Sequence, residues 1–367
     1  MRSLIRKVIR SKLLPTNKLL ELLFKYLLKR NNNLYPKTFS LRIKEIPNIF
    51  SYKNLLLNGK ITIEENVTIL NERLLILNDG AVLEKNQTYK SDYSTVNPLI
   101  IGETNKETDF KTSDPIFILG TGRSGTNSII DIFNLNRKIN SYHEPCDELI
   151  ALSYYKEYGL LDTSEIESRI AFLFNSIFKK DKINIISDNK LGNLVPELIS
   201  IYPNAKFIWL IRNPYEFISS AYYRGWFANE EFGFKIDTNQ PKVYSSKIFS
   251  KFRINGSKSG EFTELEWRKM GAFKRNCWYW SYWNIKIETH LSRLEKNRWF
   301  LIDLADLESK LDEIAWFIGT PNFKYKFAIS NKAKYKKKEK GNWSADQLDT
   351  SKVFCAAYYD HINNIKS

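Results

Sequence analysis

From residue 115 onward, short uninterrupted apolar runs alternate with segments whose apolar positions recur every three or four residues. Pro115–Leu119 (PIFIL), Ile183–Ile186, Lys206–Ile211 (KFIWLI) and Trp299–Ile302 are runs of the first kind. They read as strands buried on both faces. Asn127–Leu135, Leu194–Tyr202, Pro214–Tyr223, Ala272–Leu294 and Glu308–Ile318 have helical spacing. This alternation predicts an α/β architecture, a mostly parallel sheet with helices on both faces.

The first third is patterned differently. Residues 52–89 read as β structure, with Asn58-Gly59 and Asn78-Asp79-Gly80 between the apolar runs Leu55–Leu57, Ile61–Ile63, Leu74–Leu77 and Ala81–Leu83. That is hairpin chemistry. Residues 90–113 are polar and read as a linker, and no internal repeat is apparent. The expected organisation is a basic helical and β-rich region over 1–113, without recognisable chemistry, followed by a catalytic domain over 114–367.

Before that β segment, Leu4, Ile5, Val8 and Ile9 recur at helical spacing, as do Leu19, Leu20, Leu23 and Leu27 after Pro15. Arg6, Lys7, Arg10 and Lys12 interrupt any apolar core of a signal peptide. No apolar run approaches the roughly 20 residues of a membrane-spanning helix. Residues 1–30 therefore read either as a basic amphipathic helix lying on an anionic membrane surface or as a docking helix with a solvated basic face.

The chain has 367 residues, 43% hydrophobic and 14% aromatic, which is enough for a large core and excludes wholesale disorder. Its formal charge of +15 is concentrated in two blocks. Residues 1–30 carry nine basic side chains and one acid, and residues 324–340 carry eight lysines and one acid. The remainder is neutral, so two local anion-attracting patches are expected rather than a nucleic-acid-binding coat. The three cysteines, Cys146, Cys277 and Cys355, are widely spaced, and the histidines are His143, His290 and His361. No zinc-ligand spacing or disulfide framework is present, which favours a reducing, cytoplasmic compartment.

The chemistry begins at Gly120-Thr-Gly-Arg-Ser-Gly-Thr-Asn127, between a buried strand and a helix. Glycines let the backbone curl so that successive amides point inward, and the helix N-terminus adds positive potential, so the context suits a phosphate. Gly120, Gly122 and Gly125 spell the dinucleotide fingerprint GxGxxG, with Glu144 roughly where a ribose-binding acid belongs, although Ser141-Tyr142 makes a poor second strand. A Walker A loop would need Gly-Lys-[Ser/Thr], and here Thr126 follows Gly125 directly.

A third reading explains more. PIFILGTGRSGTN resembles the 5′-phosphosulfate-binding loop of sulfotransferases that use 3′-phosphoadenosine 5′-phosphosulfate (PAPS), in the carbohydrate-type form with a basic residue before Ser-Gly. The resemblance places Gly122, Arg123, Ser124, Gly125, Thr126 and Asn127 around the 5′-phosphate. KFIWLIRNPYEFISSAYYR (206–224) resembles the 3′-phosphate element of the same family. There an apolar strand ends in Arg-[Asp/Asn]-Pro and a serine follows eight residues after the arginine, here Arg212 and Ser220. An arginine at a strand end can grip a phosphate with two donors. Pro214 can occupy the first helical position, which puts Ser220 about two turns along. Neither rival reading predicts this second element.

Weaker resemblances follow in order. SDNKLGNLVPELISIYPNAKF (187–207) is similar to the family's lysine-bearing segment, with Lys190-Leu-Gly in place of Lys-Thr-Pro. RWFLIDLADLESKLDEIAWFIGTP (298–321) is similar to its late strand–helix unit, and KEKGNW (338–343) to the loop over the 3′-phosphate end, which assigns Lys338, Lys340 and Gly341 to the nucleotide. The resemblance spans about 115–345 and implies a P-loop NTPase-like three-layer sandwich. It also implies PAPS as donor, a hydroxyl-bearing acceptor, most readily a carbohydrate, and no required metal.

By the same analogy Arg123 stabilises the departing 5′-phosphate. Ser141-Tyr-His-Glu-Pro145 resembles the Glu-Pro segment whose acid faces the acceptor, making Glu144 the first candidate base and His143 the second. Asp188 and Lys190 are candidates for orienting the acceptor. Trp278, Tyr279, Trp280, Tyr282 and Trp283 are offered either as a sugar platform or, since their spacing is helical, as core. An ATP-dependent phosphotransferase, with Asp188 as metal ligand, and an NAD-binding oxidoreductase are the competing enzyme classes.

Overall fold

The computed structural model describes residues 21, 24–26, 39–45, 47–49, 55–57, 59–71, 75–77, 80–91, 99–101, 114–227, 252–325 and 343–366. The chain divides into two compact units. One is Met1–Phe110 with Cys146–Glu148 and Phe172–Ile177, and the other is the remainder.

The first unit is a parallel solenoid, which corrects the expectation of hairpins. Nine short strands, β1 (Phe39–Ile43), β2 (Asn48–Ile49), β3 (Leu55–Leu57), β4 (Gly59–Ile63), β5 (Thr68–Asn71), β6 (Leu75–Leu77), β7 (Val82–Leu83), β8 (Thr88–Ser91) and β9 (Leu99–Ile101), form three parallel sheets. Their orders are β1-β4-β7, β2-β5-β8 and β3-β6-β9, so the chain winds through three coils with three sides each. Phe39 pairs with Gly59, Asn48 with Thr68 and Thr68 with Thr88, a spacing of 20 residues. The region expected to be linker supplies β9 and the end of β8.

An internal repeat does exist, contrary to the sequence expectation. ITIEENVTILN (61–71) and AVLEKNQTYKS (81–91) align position by position. Alternate residues point inward and stack coil on coil: Leu41, Ile61 and Ala81, then Ile43, Ile63 and Leu83, all buried. Each coil buries its apolar face only against the next, as in other solenoids. Asn66 and Asn86 occupy equivalent corners with left-handed backbone (φ 54° and 60°), and Asn66 Nδ2 donates to Asn86 Oδ1 at 2.9 Å. Lys44 pairs with Glu64 and Lys85 with Glu65 along the outside. Of the basic N-terminal segment, Glu21, Phe24, Lys25 and Tyr26 are described and helical, with Phe24 buried in this core. The other residues of 1–30 lie outside the described residues.

The second unit carries the α/β pattern. Strands β10 (Ile116–Leu119), β11 (Ile139–His143), β12 (Ile183–Ser187), β13 (Lys206–Ile211) and β14 (Trp299–Asp303) form one sheet in the order β11-β12-β10-β13-β14, with every pairing parallel. The helices are α1 (Thr126–Phe133), α2 (Glu148–Glu157), α3 (Thr163–Ile177), α4 (Val195–Ile201), α5 (Pro214–Tyr223), α6 (Glu264–Lys269), α7 (Ala272–Leu291), α8 (Leu311–Phe317), α9 (Ala345–Ser351) and α10 (Ala357–Lys366). The helix expected over Glu308–Ile318 is shorter: α8 begins after its N-cap, Lys310, and ends before its C-cap, Ile318.

The two-residue period of the strands divides the core. Ile116, Ile118, Ile208, Leu210 and Ile302 pack with Ile129, Ile132 and Phe133 of α1 and with Leu311 and Ile314 of α8. Phe117, Phe207 and Trp209 alternate with them and so face the other side, where the Trp209 indole donates to Asn284 of α7 at 3.1 Å. The aromatics of α7 are chiefly core: Trp278, Tyr279, Trp280 and Trp283 are buried. The three cysteines are buried and none is in a disulfide. No helix among the described residues is long and apolar enough to cross a membrane.

Candidate active site

Four of the segments singled out in the sequence follow the end of a strand. Gly120 follows β10, Glu144 follows β11, Asp188 follows β12 and Arg212 follows β13. In a parallel sheet the strand ends on one edge form a common crevice, the usual place for a ligand in open α/β folds.

The loop after β10 is tightly wound. A Cβ at Gly120 would stand 2.8 Å from the Leu210 carbonyl oxygen, so only glycine fits between the strands there. Gly122, Arg123 and Gly125 all take left-handed backbone, at φ 75°, 55° and 87°. For Arg123 that conformation costs on the order of 1–3 kcal/mol and must be held by its surroundings. It is: Arg212 Nη1 donates to the Arg123 carbonyl at 2.8 Å, and Trp283 Nε1 reaches the Gly120 carbonyl at 3.2 Å. Ser124 is buried and its hydroxyl stays inside the loop, 2.9 Å from Thr121 Oγ1 and 3.1 Å from the Gly122 carbonyl. Thr126 is buried at the start of α1, with Gly125 as N-cap, and Asn127 is half-buried.

The second element meets the first directly. Arg212 leaves β13 largely buried, with Nε and Nη2 on Glu216 Oε2 at 2.9 and 2.8 Å. Asn213 caps α5 by accepting from the Tyr215 amide, and Pro214 stands in its first turn. Two turns later Ser220 accepts from Arg123 Nε at 3.2 Å. Trp280 Nε1 fixes the strand end by donating to the Arg212 carbonyl at 3.0 Å. Burial, then repulsion from Arg224 and Arg212, pushes the Arg123 guanidinium down to about 10, with Glu144 opposing. A group of arginines this close is arranged to receive an anion.

Glu144 stands on the other side of the loop. Its backbone is left-handed (φ 45°), and its amide donates to the Ser187 carbonyl at 2.8 Å. Asn189 Nδ2 donates to Glu144 Oε1 at 3.0 Å, and His143 Nε2 lies 3.9 Å from the same oxygen. Lys190 is buried with its ammonium 5.7 Å from the centre of the Trp283 ring. Burial and the charge of Arg253 push that ammonium down to about 8, against Asp188 and Glu144. Asp188 Oδ1 accepts from the Lys190 amide at 2.8 Å.

Ser141-Tyr142 does lie in a strand, β11, and Glu144 follows its end. What separates the site from a dinucleotide fold is strand order. There the acid-bearing strand neighbours the glycine-loop strand, whereas β12 intervenes between β11 and β10.

The structure therefore brings together Gly122, Arg123, Ser124, Gly125, Thr126, Asn127, Arg212 and Ser220, with Glu144 and His143 alongside. Lys338, Lys340 and Gly341 lie outside the described residues. Sequence reasoning missed Glu216, Asn189, Arg224 and Arg253, and missed that Trp280 and Trp283 pin site carbonyls. The spacing Arg212–Glu216, four apart on a helix start, was the readable signal for one of these.

Residues 113–354 match the family model described as Sulfotransferase domain. Among solved structures, the chain is similar to the sulfotransferase domain from the curacin biosynthetic pathway, at 17% identity and TM-score 0.34, covering 57% of this chain and 76% of that one. A sulfotransferase from Alicyclobacillus acidocaldarius is 11% identical with TM-score 0.40, over 70% of this chain and 96% of that one. The sulfotransferase STF9 from Mycobacterium avium is 10% identical with TM-score 0.38, over 68% and 69%. No curated protein matches the chain.

Proposed function

The chain belongs to the sulfotransferase domain family over residues 113–354, and we propose that it moves a sulfuryl group from PAPS to a hydroxyl of a carbohydrate or glycoconjugate. The observation that carries the donor assignment is the hydrogen bond between Arg123 of the glycine loop and Ser220 of α5. It joins two elements, each suited to a phosphate, and sets Arg123 close to Arg212 and Arg224.

On this reading the amides of the loop and the N-terminus of α1 hold the 5′-phosphate, with Thr126 and Asn127 at its edge. Ser124 keeps the loop in shape. Arg212 and Ser220 hold the 3′-phosphate, and Glu216 keeps the Arg212 fork in plane. Lys338, Lys340 and Gly341 are assigned to the same end by resemblance. The donor supplies the sulfuryl group, and its bridging oxygen becomes the leaving phosphate's. Arg123, half-buried and charged, stabilises the negative charge that grows on that oxygen. Glu144, oriented by Asn189, removes the acceptor proton, with His143 next in reach. The carbohydrate assignment is supported by the resemblance of the Glu-Pro segment, Glu144-Pro145. The transfer chemistry is assigned to residues 114–367.

Calorimetric titration with adenosine 3′,5′-bisphosphate, with and without Mg²⁺, tests the reading. Metal-independent binding by the wild type is expected, and no binding, or binding only with Mg²⁺, would overturn it in favour of a phosphotransferase.

A further inference from the structure

The base and the donor loop are not neighbours in the sheet. Glu144 follows β11 and Gly120 follows β10, and β12 stands between these two strands. Any alignment of one with the other therefore passes through the residues that follow β12. A chain of hydrogen bonds makes that crossing. The Glu144 amide donates to the carbonyl of Ser187, the last residue of β12, at 2.8 Å, and Asn189 Nδ2 donates to Glu144 Oε1 at 3.0 Å. The Trp283 indole N–H is shared, reaching the Asn189 carbonyl at 2.9 Å and the Gly120 carbonyl at 3.2 Å.

The shared indole is fixed from several sides. Trp283 is buried and stacks on Tyr279, with ring centres 5.8 Å apart and 8° between the planes. Tyr279 stacks in turn on Phe217 of α5, at 6.3 Å and 11°. The departure of Lys190-Leu-Gly from the family's Lys-Thr-Pro finds a reason here. Gly192 lies in the 3-10 turn Leu191–Asn193, and a Cβ on it would stand 2.7 Å from Ile287 Cγ1 and 3.2 Å from Trp283 Nε1. Without a side chain at 192, the turn settles on α7 and the indole reaches both carbonyls. On the other side, a Cβ at Gly122 would be 3.2 Å from Asn189 Nδ2. The amide that holds the carboxylate therefore also rests against the glycine loop. Asn189 is buried, where a hydrogen bond to a charged group is stronger than it is in water.

We propose that Trp283 and Asn189 are positioning residues that tie the base to the donor loop across β12. The Trp283 N–H locks the Asn189 backbone to the root of the loop, and the Asn189 side chain aims Glu144, so that base and donor keep one registry. This rests on the sulfotransferase reading with Glu144 as base, and deepens it. Asn189 acts through Glu144, whereas Trp283 acts through Asn189 on one side and through the loop on the other. In-line transfer is sensitive to such placement, since a displacement of about 1 Å costs about a hundredfold in rate.

The test is a double-mutant cycle between Asn189→Ala and Glu144→Gln, with Asn189→Asp and Trp283→Phe measured beside it. Turnover is read as sulfation of 4-nitrophenyl β-D-glucoside by PAPS, or as hydrolysis of PAPS by water where the glucoside is not taken. Donor affinity is read by calorimetry with adenosine 3′,5′-bisphosphate. In the wild-type background Asn189→Ala should lower kcat at least about tenfold, the scale of one hydrogen bond to a charged group, with bisphosphate affinity held within about twofold. In the Glu144→Gln background the same substitution should change kcat by less than about twofold, because no base is left to aim. Asn189→Asp keeps the shape but turns an acceptor toward the carboxylate, and should be at least as slow as Asn189→Ala. Trp283→Phe keeps a stacked ring without the N–H, and should lower both kcat and bisphosphate affinity by about two- to tenfold.

Equal losses from Asn189→Ala in both backgrounds would overturn the proposal, because Asn189 would then serve the fold alone. Wild-type turnover in Asn189→Asp, or unaltered turnover and affinity in Trp283→Phe, would overturn it too. Should Trp283→Phe fail to fold, the Asn189 cycle decides. Failure of the wild type to bind the bisphosphate would remove the sulfotransferase reading and this inference with it, and unaltered turnover in Glu144→Gln would remove the base and the inference together. Intact binding with an additive cycle removes the inference alone.

Discussion

Arg123 Nε donates to Ser220 Oγ at 3.2 Å across 97 residues of sequence, while Arg212 Nη1 donates back to the Arg123 carbonyl at 2.8 Å. The two elements of the proposed donor site therefore hold each other, and a substitution in one is felt in the other.

Arg212→Lys keeps the charge but cannot bond the Arg123 carbonyl and the Glu216 carboxylate in the same fork. Its affinity for adenosine 3′,5′-bisphosphate should fall about tenfold by calorimetry, and that of Arg212→Ala about a hundredfold, in line with losing one or two charge-assisted bonds. Wild-type affinity in Arg212→Ala would remove the 3′-phosphate assignment.

Glu144→Gln preserves shape and the hydrogen bond from Asn189 while removing the base. Turnover should drop by roughly 10²–10⁴-fold with bisphosphate affinity intact. Unchanged turnover would transfer the role to His143.

Gly125→Ala should disable the loop. A Cβ there would meet Leu304 Cδ1 at 2.3 Å, on backbone at φ 87°. A loss of roughly 1–3 kcal/mol is expected, together with loss of nucleotide binding. Thermal unfolding with and without the bisphosphate reads both, and an unaltered melting profile would contradict the packing described.

Lys190 gives a pH signature. Its folded value is pushed from the ordinary 10.5 down to about 8, so between these limits the unfolded chain holds more protons than the native one. Stability then rises with pH across that window. Below about 8 both states are protonated and the burden of the buried ammonium is constant. Relative to Lys190→Met, the wild type should gain stability from about pH 8 to 10.5 in denaturant titrations. A flat difference would mean that the ammonium is solvated.

In the solenoid, Asn66 holds left-handed backbone at φ 54°. Asn66→Val should lower the melting temperature more than Asn66→Gly, since a β-branched side chain resists that region by about 1–2 kcal/mol. Equal effects would locate the role of Asn66 in its side-chain bond to Asn86 instead.

The catalytic half was legible because its signals are local. KFIWLI followed by Arg212, Asn213 and Pro214 encodes a buried strand, an arginine at its end and a helix start in nine consecutive residues, and α5 spans Pro214–Tyr223 as its spacing indicates. β11 was not legible, since Asn140 and Ser141 make it polar. The structure accommodates them by pairing Asn140 Nδ2 with Asn184 Oδ1 at 2.8 Å on the adjacent strand, and Ser141 with Asn134 at 2.8 Å. The solenoid was misread for a related reason. Asn-Gly and Asp-Gly pairs favour left-handed corners in hairpins and in coils alike, and what tells them apart is a partner 20 residues away rather than across the turn.

That 20-residue register makes the length of the solenoid a stepped quantity. Adding or deleting one whole coil keeps every inward side chain inward, whereas a single-residue change within a strand turns its apolar set outward. The spacing from Leu75 to Leu99 is 24 rather than 20, and the surplus falls between the end of β8 at Ser91 and the start of β9 at Leu99. Corners of this unit are accordingly the places where a peptide tag or a foreign loop can be inserted without shifting the ladder.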